Sequence, residues 1–389
     1  MIDHAPQDVH FAMCTTSRQG TVTIPSLPLD NGETLIDVVV AFESWGTLSP
    51  VADNAILLCH ALTGSAHAYD PAAPDDPRVG WWNPLIGPGR PFDTDRYCVI
   101  CTNVVGGCYG STGPASPHPV DGEPYRLRFP LIAIGDMVRA QRLCLEAIGV
   151  SRLAAVAGGS LGGLQALEWA VAYPDAVALA LIIAAAPRLS AQGLAIDDIA
   201  RQAIMADPAW NGGDYALGAG PTVGLRLARM LAMLTYTTAP ALDARFGRRA
   251  ATHESNLPQF GPRRDVETYM HHQGEKLVDR FDANAYLYLT QAMDAYDVAL
   301  GPDRGSDVAA FERIRAAVVT VGIDSDWLYP AAQVRALAES IAAVGGNAQY
   351  AEIHSLNGHD AFLQEWKQLE RIVRDALVAQ PPHATLGER

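Results

Sequence analysis

Residues Val156 to Gly163 read Val-Ala-Gly-Gly-Ser-Leu-Gly-Gly, and no other stretch restricts the fold so tightly. The apolar run Leu153 to Ala157 predicts a short buried strand. Leu161 to Tyr173, with Leu164, Leu167, Ala170 and Val171 at helical spacing, predicts a helix. Ser160 then falls on a strand-to-helix turn. So sharp a turn needs small residues around it, and Gly158 and Gly162 occupy the positions of Gly-x-Ser-x-Gly where the backbone is most crowded. This is the pattern of a nucleophile elbow, which holds a hydroxyl out beside the first helical N–H groups, ready to receive an oxyanion. On the motif alone, a glycine-rich turn packing a helix onto a sheet is the alternative.

The rest of the chain supplies a setting for the elbow. The first 20 residues carry no strong pattern and are expected to form a loose arm, whereas Thr21 to Ile24 and Ile36 to Ser44 alternate like an antiparallel edge. Ala55 to Cys59 is a short apolar strand running into His60-Ala61-Leu62-Thr63-Gly64-Ser65, a small-residue loop suited to a second oxyanion donor, with Leu62 the candidate. Residues 70–96 form a long turn-rich insertion, more often a functional loop than a linker. The strand Tyr97 to Val105 ends in Gly106 to Pro114, at the kind of strand end where α/β sheets bind ligands; no Gly-Lys-Ser/Thr follows, so a phosphate cradle is a weak reading. After the helix Asp136 to Ile148, the elbow and the strand Ala180 to Ala186, the character changes. Residues 188–310 hold helical patterns at Ile196 to Met205, Val223 to Leu234, Asp265 to Asp279 and Ala283 to Tyr296, without a convincing strand. They predict a helical cap between two parts of an α/β core, residues 1–187 and 311–380, with 381–389 a disordered tail. The second part reads as strand Ala316 to Gly322, helix Ala331 to Val344, strand Ala348 to Ile353 and helix Asp360 to Leu377.

A serine hydroxyl is a poor nucleophile near neutral pH without a base, and the base needs an orienting carboxylate. In elbow enzymes the order is Ser, acid, His, the last two on loops after late strands. Asp324 and Asp326 compete for the acid; Asp326-x-x-x-Pro330 has the spacing expected at this strand end and is favoured. His354 lies at the end of a strand, whereas His359, between Gly358 and a predicted helix, lies on the loop where a base belongs. Ser160, Asp326 and His359 would perform acyl transfer from an ester or thioester, with the N–H groups of Leu62 and Leu161 receiving the oxyanion. Water and an alcohol remain equally open as acceptors.

Composition excludes other classes. The formal net charge of −15, without a cluster of Lys and Arg, opposes binding to nucleic acid or an anionic membrane. No apolar run is long enough to span a bilayer and no signal segment is evident, so a cytoplasmic location is expected. The six cysteines lack paired metal spacing. Cys98 and Cys101 lie within one strand with side chains on opposite faces, which favours reduced core thiols over a zinc or redox site, and no metal is expected.

Longer words extend the picture: His60-Ala61-Leu62-Thr63-Gly64, Gly80-Trp81-Trp82, Gly106-Gly107-Cys108-Tyr109-Gly110-Ser111-Thr112-Gly113-Pro114, Gly158 to Ala166, Arg201-Gln202-Ala203-Ile204, Ala228-Arg229-Met230, Thr235-Tyr236 and Gly358-His359-Asp360-Ala361-Phe362. In this order they span nearly the whole chain, which resembles the homoserine O-acyltransferases. The resemblance implies an α/β-hydrolase fold, a mostly parallel central sheet with an inserted helical lid, and a homodimer. It also implies ping-pong transfer from an acyl-CoA to the hydroxyl of homoserine in methionine biosynthesis, without a cofactor beyond acetyl-CoA as co-substrate. Matched motif to motif, Arg229 would pair with the amino acid's carboxylate, Tyr236 would line the same pocket and Asp360 would hold the ammonium. Succinyl members carry an Arg after the Asp-Trp pair; here Leu328 follows Asp326-Trp327 and argues for acetyl, whereas Leu161, where many acetyl members have Met, argues the other way. Succinyl-CoA as donor, serine as acceptor, or a plain serine esterase are the alternatives.

Overall fold

A computed structural model describes residues 17–216, 218–251 and 259–379; the expected C-terminal tail, Cys14 and most of the expected N-terminal arm lie outside them. The order of elements along the chain begins with strands β1 (Arg18–Pro28), β2 (Thr34–Trp45) and β3 (Ala55–Cys59). A two-residue pair, β4 (Ile86–Gly87) and β5 (Phe92–Asp93), lies apart from the main sheet, and β6 (Cys98–Thr102) rejoins it. Helix α1 (Ile134–Ala147), strand β7 (Ala155–Gly159), helix α2 (Leu161–Ala172) and strand β8 (Leu179–Ile183) complete the first part of the core. Then come, among the described residues, six α-helices without a sheet strand: α3 (Ala191–Met205), α4 (Thr222–Tyr236), α5 (Ala239–Arg245), α6 (Asp265–Val278), α7 (Ala283–Ala295) and α8 (Asp307–Phe311). Strand β9 (Ala317–Ile323), helix α9 (Ala331–Ala343), strand β10 (Ala348–Ile353) and helix α10 (Trp366–Val378) close the chain.

The eight-stranded sheet has the order β1-β2-β6-β3-β7-β8-β9-β10. Only the pairs β1/β2 and β2/β6 are antiparallel; the others are parallel. Every residue of β3, β6, β7 and β8 is buried, as strands covered on both faces must be. Their alternate side chains feed two separate cores. Leu57, Ile100 and Val156 face α1, α2 and α9, while Ile56, Leu58 and Val99 face α10 and the Trp82–Phe92 loop. Cys98 and Cys101 split the same way, one into each core. Among the described residues the cysteines are free, and no helix is long and apolar enough to cross a membrane.

Two local expectations are corrected. Arg18 already belongs to β1, so the paired sheet edge begins inside the expected arm. The expected helix Asp360 to Leu377 is a 3₁₀ turn over Gly358–Leu363 followed by α10 from Trp366. Trp82 fixes the tight turn by donating from its indole N–H to the Phe362 carbonyl at 3.1 Å.

Candidate active site

Strand order brings distant parts of the sequence to one edge. The loops leaving the C-terminal ends of β3, β7, β9 and β10 carry Leu62, Ser160, Asp326 and His359, and only β8 interrupts the run of these strands in the sheet. Helices α3 to α8 enter after β8, at this same edge, where open α/β sheets keep their binding crevices.

Ser160 sits at φ 58° and ψ −125°, a backbone state that L residues rarely adopt. Its N–H donates to Ile183 O at 3.0 Å and its carbonyl accepts from Leu164 N at 3.0 Å, so neighbouring structure over-determines the turn. The flanking glycines are steric requirements. A Cβ on Gly158 would lie 2.4 Å from the Gly162 carbonyl oxygen, and one on Gly162 would lie 2.1 Å from that of Cys59. The Leu161 N–H opens α2 and has no intrahelical partner.

Across from it, His60 shapes the loop that presents Leu62. The His60 ring accepts the Val104 N–H at Nε2, 3.1 Å away, so its proton lies on Nδ1, 2.8 Å from the Ala61 carbonyl. Burial pushes its pKa down to about 4, so it is neutral and serves as a fixed brace. Arg280 braces the same loop, donating to Thr63 O at 2.7 Å and Tyr109 Oη at 2.6 Å. Neither role is legible in the sequence, because Val104 and Arg280 are remote from the loop along the chain. Among the described residues the Leu62 N–H donates to no protein acceptor.

Asp326 and His359 meet in the interior, the Nδ1–H of His359 donating to Oδ2 at 2.6 Å. The other carboxylate oxygen, Oδ1, accepts the N–H groups of Leu328 at 2.9 Å and Tyr329 at 3.0 Å. Asp324 and His354, the competing acid and base, pair with one another at 3.0 Å on the surface. His359 Nε2 is buried and has no hydrogen-bond partner among the described residues, leaving an acceptor free for a proton. Burial alone would lower the imidazole pKa, but the Asp326 charge and hydrogen bond, with Asp360 assisting, hold it above the ordinary value.

A narrow cavity of about 20 Å³ is lined by Ser160, Leu62, Leu328, Tyr236 and Asp197 among others. Tyr236 links it to the imidazole, its ring centroid 5.9 Å from that of His359. Arg229, about two helical turns before Tyr236 on α4, places its guanidinium 5.4 Å from the Tyr236 ring centre. Asp360 follows His359 in the chain and keeps part of its surface exposed. Enough protein still surrounds its carboxyl for burial to raise the pKa, against the opposing pull of Arg229 and His359. Burial also pushes the Tyr236 phenol up to about 12, so it stays a neutral donor. The end of α4 is tied to both late loops, since Trp327 Nε1 donates to Thr237 O at 3.1 Å and Thr238 Oγ1 to Leu356 O at 2.5 Å.

Residues 54–365 match the family model of the alpha/beta hydrolase fold. Homoserine O-acetyltransferase from Symbiobacterium thermophilum is 49% identical over 365 residues, covering 93% of this chain and 95% of that protein. Among solved structures, homoserine O-acetyltransferase from Bacillus anthracis superposes with a TM-score of 0.85 at 28% identity, covering 94% of this chain and 98% of that one. Esterase E22 superposes with a TM-score of 0.84 at 26% identity, covering 93% and 100%.

Proposed function

Because the chain belongs to the homoserine O-acetyltransferase family of α/β hydrolases, we propose that it moves an acetyl group from acetyl-CoA to the side-chain hydroxyl of L-homoserine through an acyl-Ser160 intermediate, as a step of methionine biosynthesis. The observation that carries this reading is the company around Tyr236: first the open Nε2 of a carboxylate-held histidine, and then, near the same ring, an arginine and an aspartate of opposite charge. An esterase needs only the first half. A zwitterionic acceptor gives the second half a purpose.

Ser160 Oγ attacks the thioester carbonyl while His359 Nε2 takes its proton, and Asp326 keeps the imidazole in the tautomer with Nε2 free. The Leu62 and Leu161 N–H groups receive the developing oxyanion, a contribution on the order of 3 kcal/mol per donor. CoA leaves as the thiol with the proton from His359. Homoserine then enters, Arg229 pairing with its carboxylate, Asp360 with its ammonium and Tyr236 lining the pocket between them. His359 removes the proton from its hydroxyl, the oxygen attacks the acyl-enzyme, and the ester leaves as the proton returns to Ser160. Acetyl is favoured as the acyl group because the space beside Ser160 is small and Leu328 brings no cation to it.

The test is a matrix of acetyl-CoA and succinyl-CoA against homoserine, serine and no amino acid, following CoA release and the product's mass. Acetyl-CoA with homoserine is expected to turn over fastest and to yield O-acetylhomoserine. Faster turnover of succinyl-CoA would overturn the donor, preference for serine the acceptor, and undiminished release without any amino acid would make the protein a hydrolase.

A further inference from the structure

The cap contributes a buried polar cluster that this reaction scheme leaves without a role. Asp197 on α3 lines the cavity beside Ser160. Its carboxyl hydrogen-bonds to that of Asp294 on α7, and Asp294 Oδ2 also accepts from Arg201 Nη2 at 2.6 Å. Arg201 and Asp294 expose 13% and 10% of their side chains, so water does little to screen them. Two carboxylates in contact in such surroundings do not both stay ionised; one proton is held between them. The unused atoms agree, because among the described residues Asp197 Oδ2 and Asp294 Oδ1 are both buried without a donor. Two acceptors bridged by one carboxyl proton leave that signature. Burial, reinforced by the charge and hydrogen bond of Asp294 and opposed by Arg201, pushes the Asp197 carboxyl up to about 8.

The cluster also abuts the groups around the base. Asp197 is faced by Arg201 on its own helix, by Asp294 and Tyr286 from α7, by Tyr236 from the end of α4, and by Tyr329 from the loop after β9. Tyr329 is fully buried, its Oη lacks a partner among the described residues, and its ring stacks on His359 with centroids 5.6 Å apart. An ionisation at Asp197 is therefore felt by both tyrosines whose rings lie against the catalytic imidazole.

We propose that Asp197 and Asp294 form a positioning pair for acyl transfer, in which one shared proton bridges α3 to α7 and fixes the wall of the cavity that Ser160 opens into. The inference rests on the acyl-serine reading of the site. While the proton is in place the bridge holds. As pH rises through about 8 the proton leaves and the carboxylates repel. Arg201, already bound to Asp294, offsets only one of the two charges, the wall separates, and transfer falls.

The test compares the pH dependence of kcat and KM for homoserine in the wild type, Asp197→Ala and Asp197→Asn, together with hydrolysis of p-nitrophenyl acetate, which needs Ser160 and His359 but neither CoA nor homoserine. Asp197→Ala is expected to lose roughly tenfold in kcat/KM near neutral pH. Asp197→Asn donates an amide hydrogen to Asp294 without titrating, so it should recover most of that loss and keep its activity above pH 8, where the wild type declines. Thermal unfolding of both variants separates a misfolded protein from a mispositioned one, and the Asn variant keeps the test alive if the Ala variant does not fold. The proposal is overturned if Asp197→Asn declines along the wild-type alkaline limb, or if a folded Asp197→Ala matches the wild type throughout. Should homoserine not be the acceptor, the transfer assay alone would be silent, and ester hydrolysis would still report on the pair.

Discussion

Ser160→Ala is expected to lower homoserine acetylation by roughly 10⁴- to 10⁶-fold, the scale on which loss of a nucleophile is felt in serine enzymes. Among the described residues no neighbouring group can substitute. Cys59, at the end of the adjacent strand, is fully buried, and burial pushes its thiol far above the usual range, so it provides no thiolate. Thr235, which lines the same cavity, has its hydroxyl donated to the Ala232 carbonyl at 2.8 Å. The fold should survive, because the Ser160 side chain caps no helical N–H and Ala faces the same backbone strain. Stability is expected to stay within about 1 kcal/mol of the wild type. CoA release and product mass, measured beside thermal unfolding, check both halves; retention of even a hundredth of the activity would place the nucleophile elsewhere.

Asp326→Asn should cost about 10⁴-fold in kcat with the structure intact. The environment of Asp326 wants an acceptor at both oxygens: the Leu328 and Tyr329 N–H groups point at Oδ1 and His359 Nδ1–H at Oδ2. An amide set one way donates to Nδ1 and forces the proton onto Nε2, which then cannot act as a base. Set the other way, its NH₂ faces two backbone donors. The pH profile should change as well. A general base must be neutral, so wild-type activity is lost as pH falls through a histidine pKa that Asp326 holds above the ordinary 6.5. Without the carboxylate, burial dominates, and the acid limb of the residual activity should move to lower pH. By the same linkage, the raised pKa gives the native state stability that is fully present below about pH 6.5 and lost as pH rises through the folded value. Stopped assays across pH, with circular dichroism on the variant, test this; an unmoved acid limb would mean that another group titrates.

The elbow was legible because its information is local: two glycines at fixed offsets from a serine, an apolar run before and helical spacing after. Strand ends were less so. The predicted run Leu153 to Ala157 is Ala155–Gly159 in the sheet, since small apolar residues continue through the boundary and pairing with Cys59 and Ile183 on neighbouring strands decides where the strand stops. The last helix begins late for a similar reason, as Trp82, far away in the sequence, captures the Phe362 carbonyl. Order along the chain proposed Asp326 and His359, but it could not show that Asp324 and His354 pair off at the surface. Least legible was the helical stretch between β8 and β9. Its helices follow from periodicity, yet Asp197 and Asp294 lie on two different ones and come together only when α3 packs on α7. Arg201 stands in the sequence only as part of a family word, with nothing local to mark its role.

The proposed reaction passes an acetyl group through Ser160. Wild-type protein mixed with acetyl-CoA in the absence of amino acid, quenched with acid and digested, should carry one acetyl group on the peptide containing Ser160. Added homoserine should discharge it faster than water does, with O-acetylhomoserine appearing in equal amount. Product formation without any acetylated Ser160, or an acetyl-serine that homoserine does not discharge, would contradict the account.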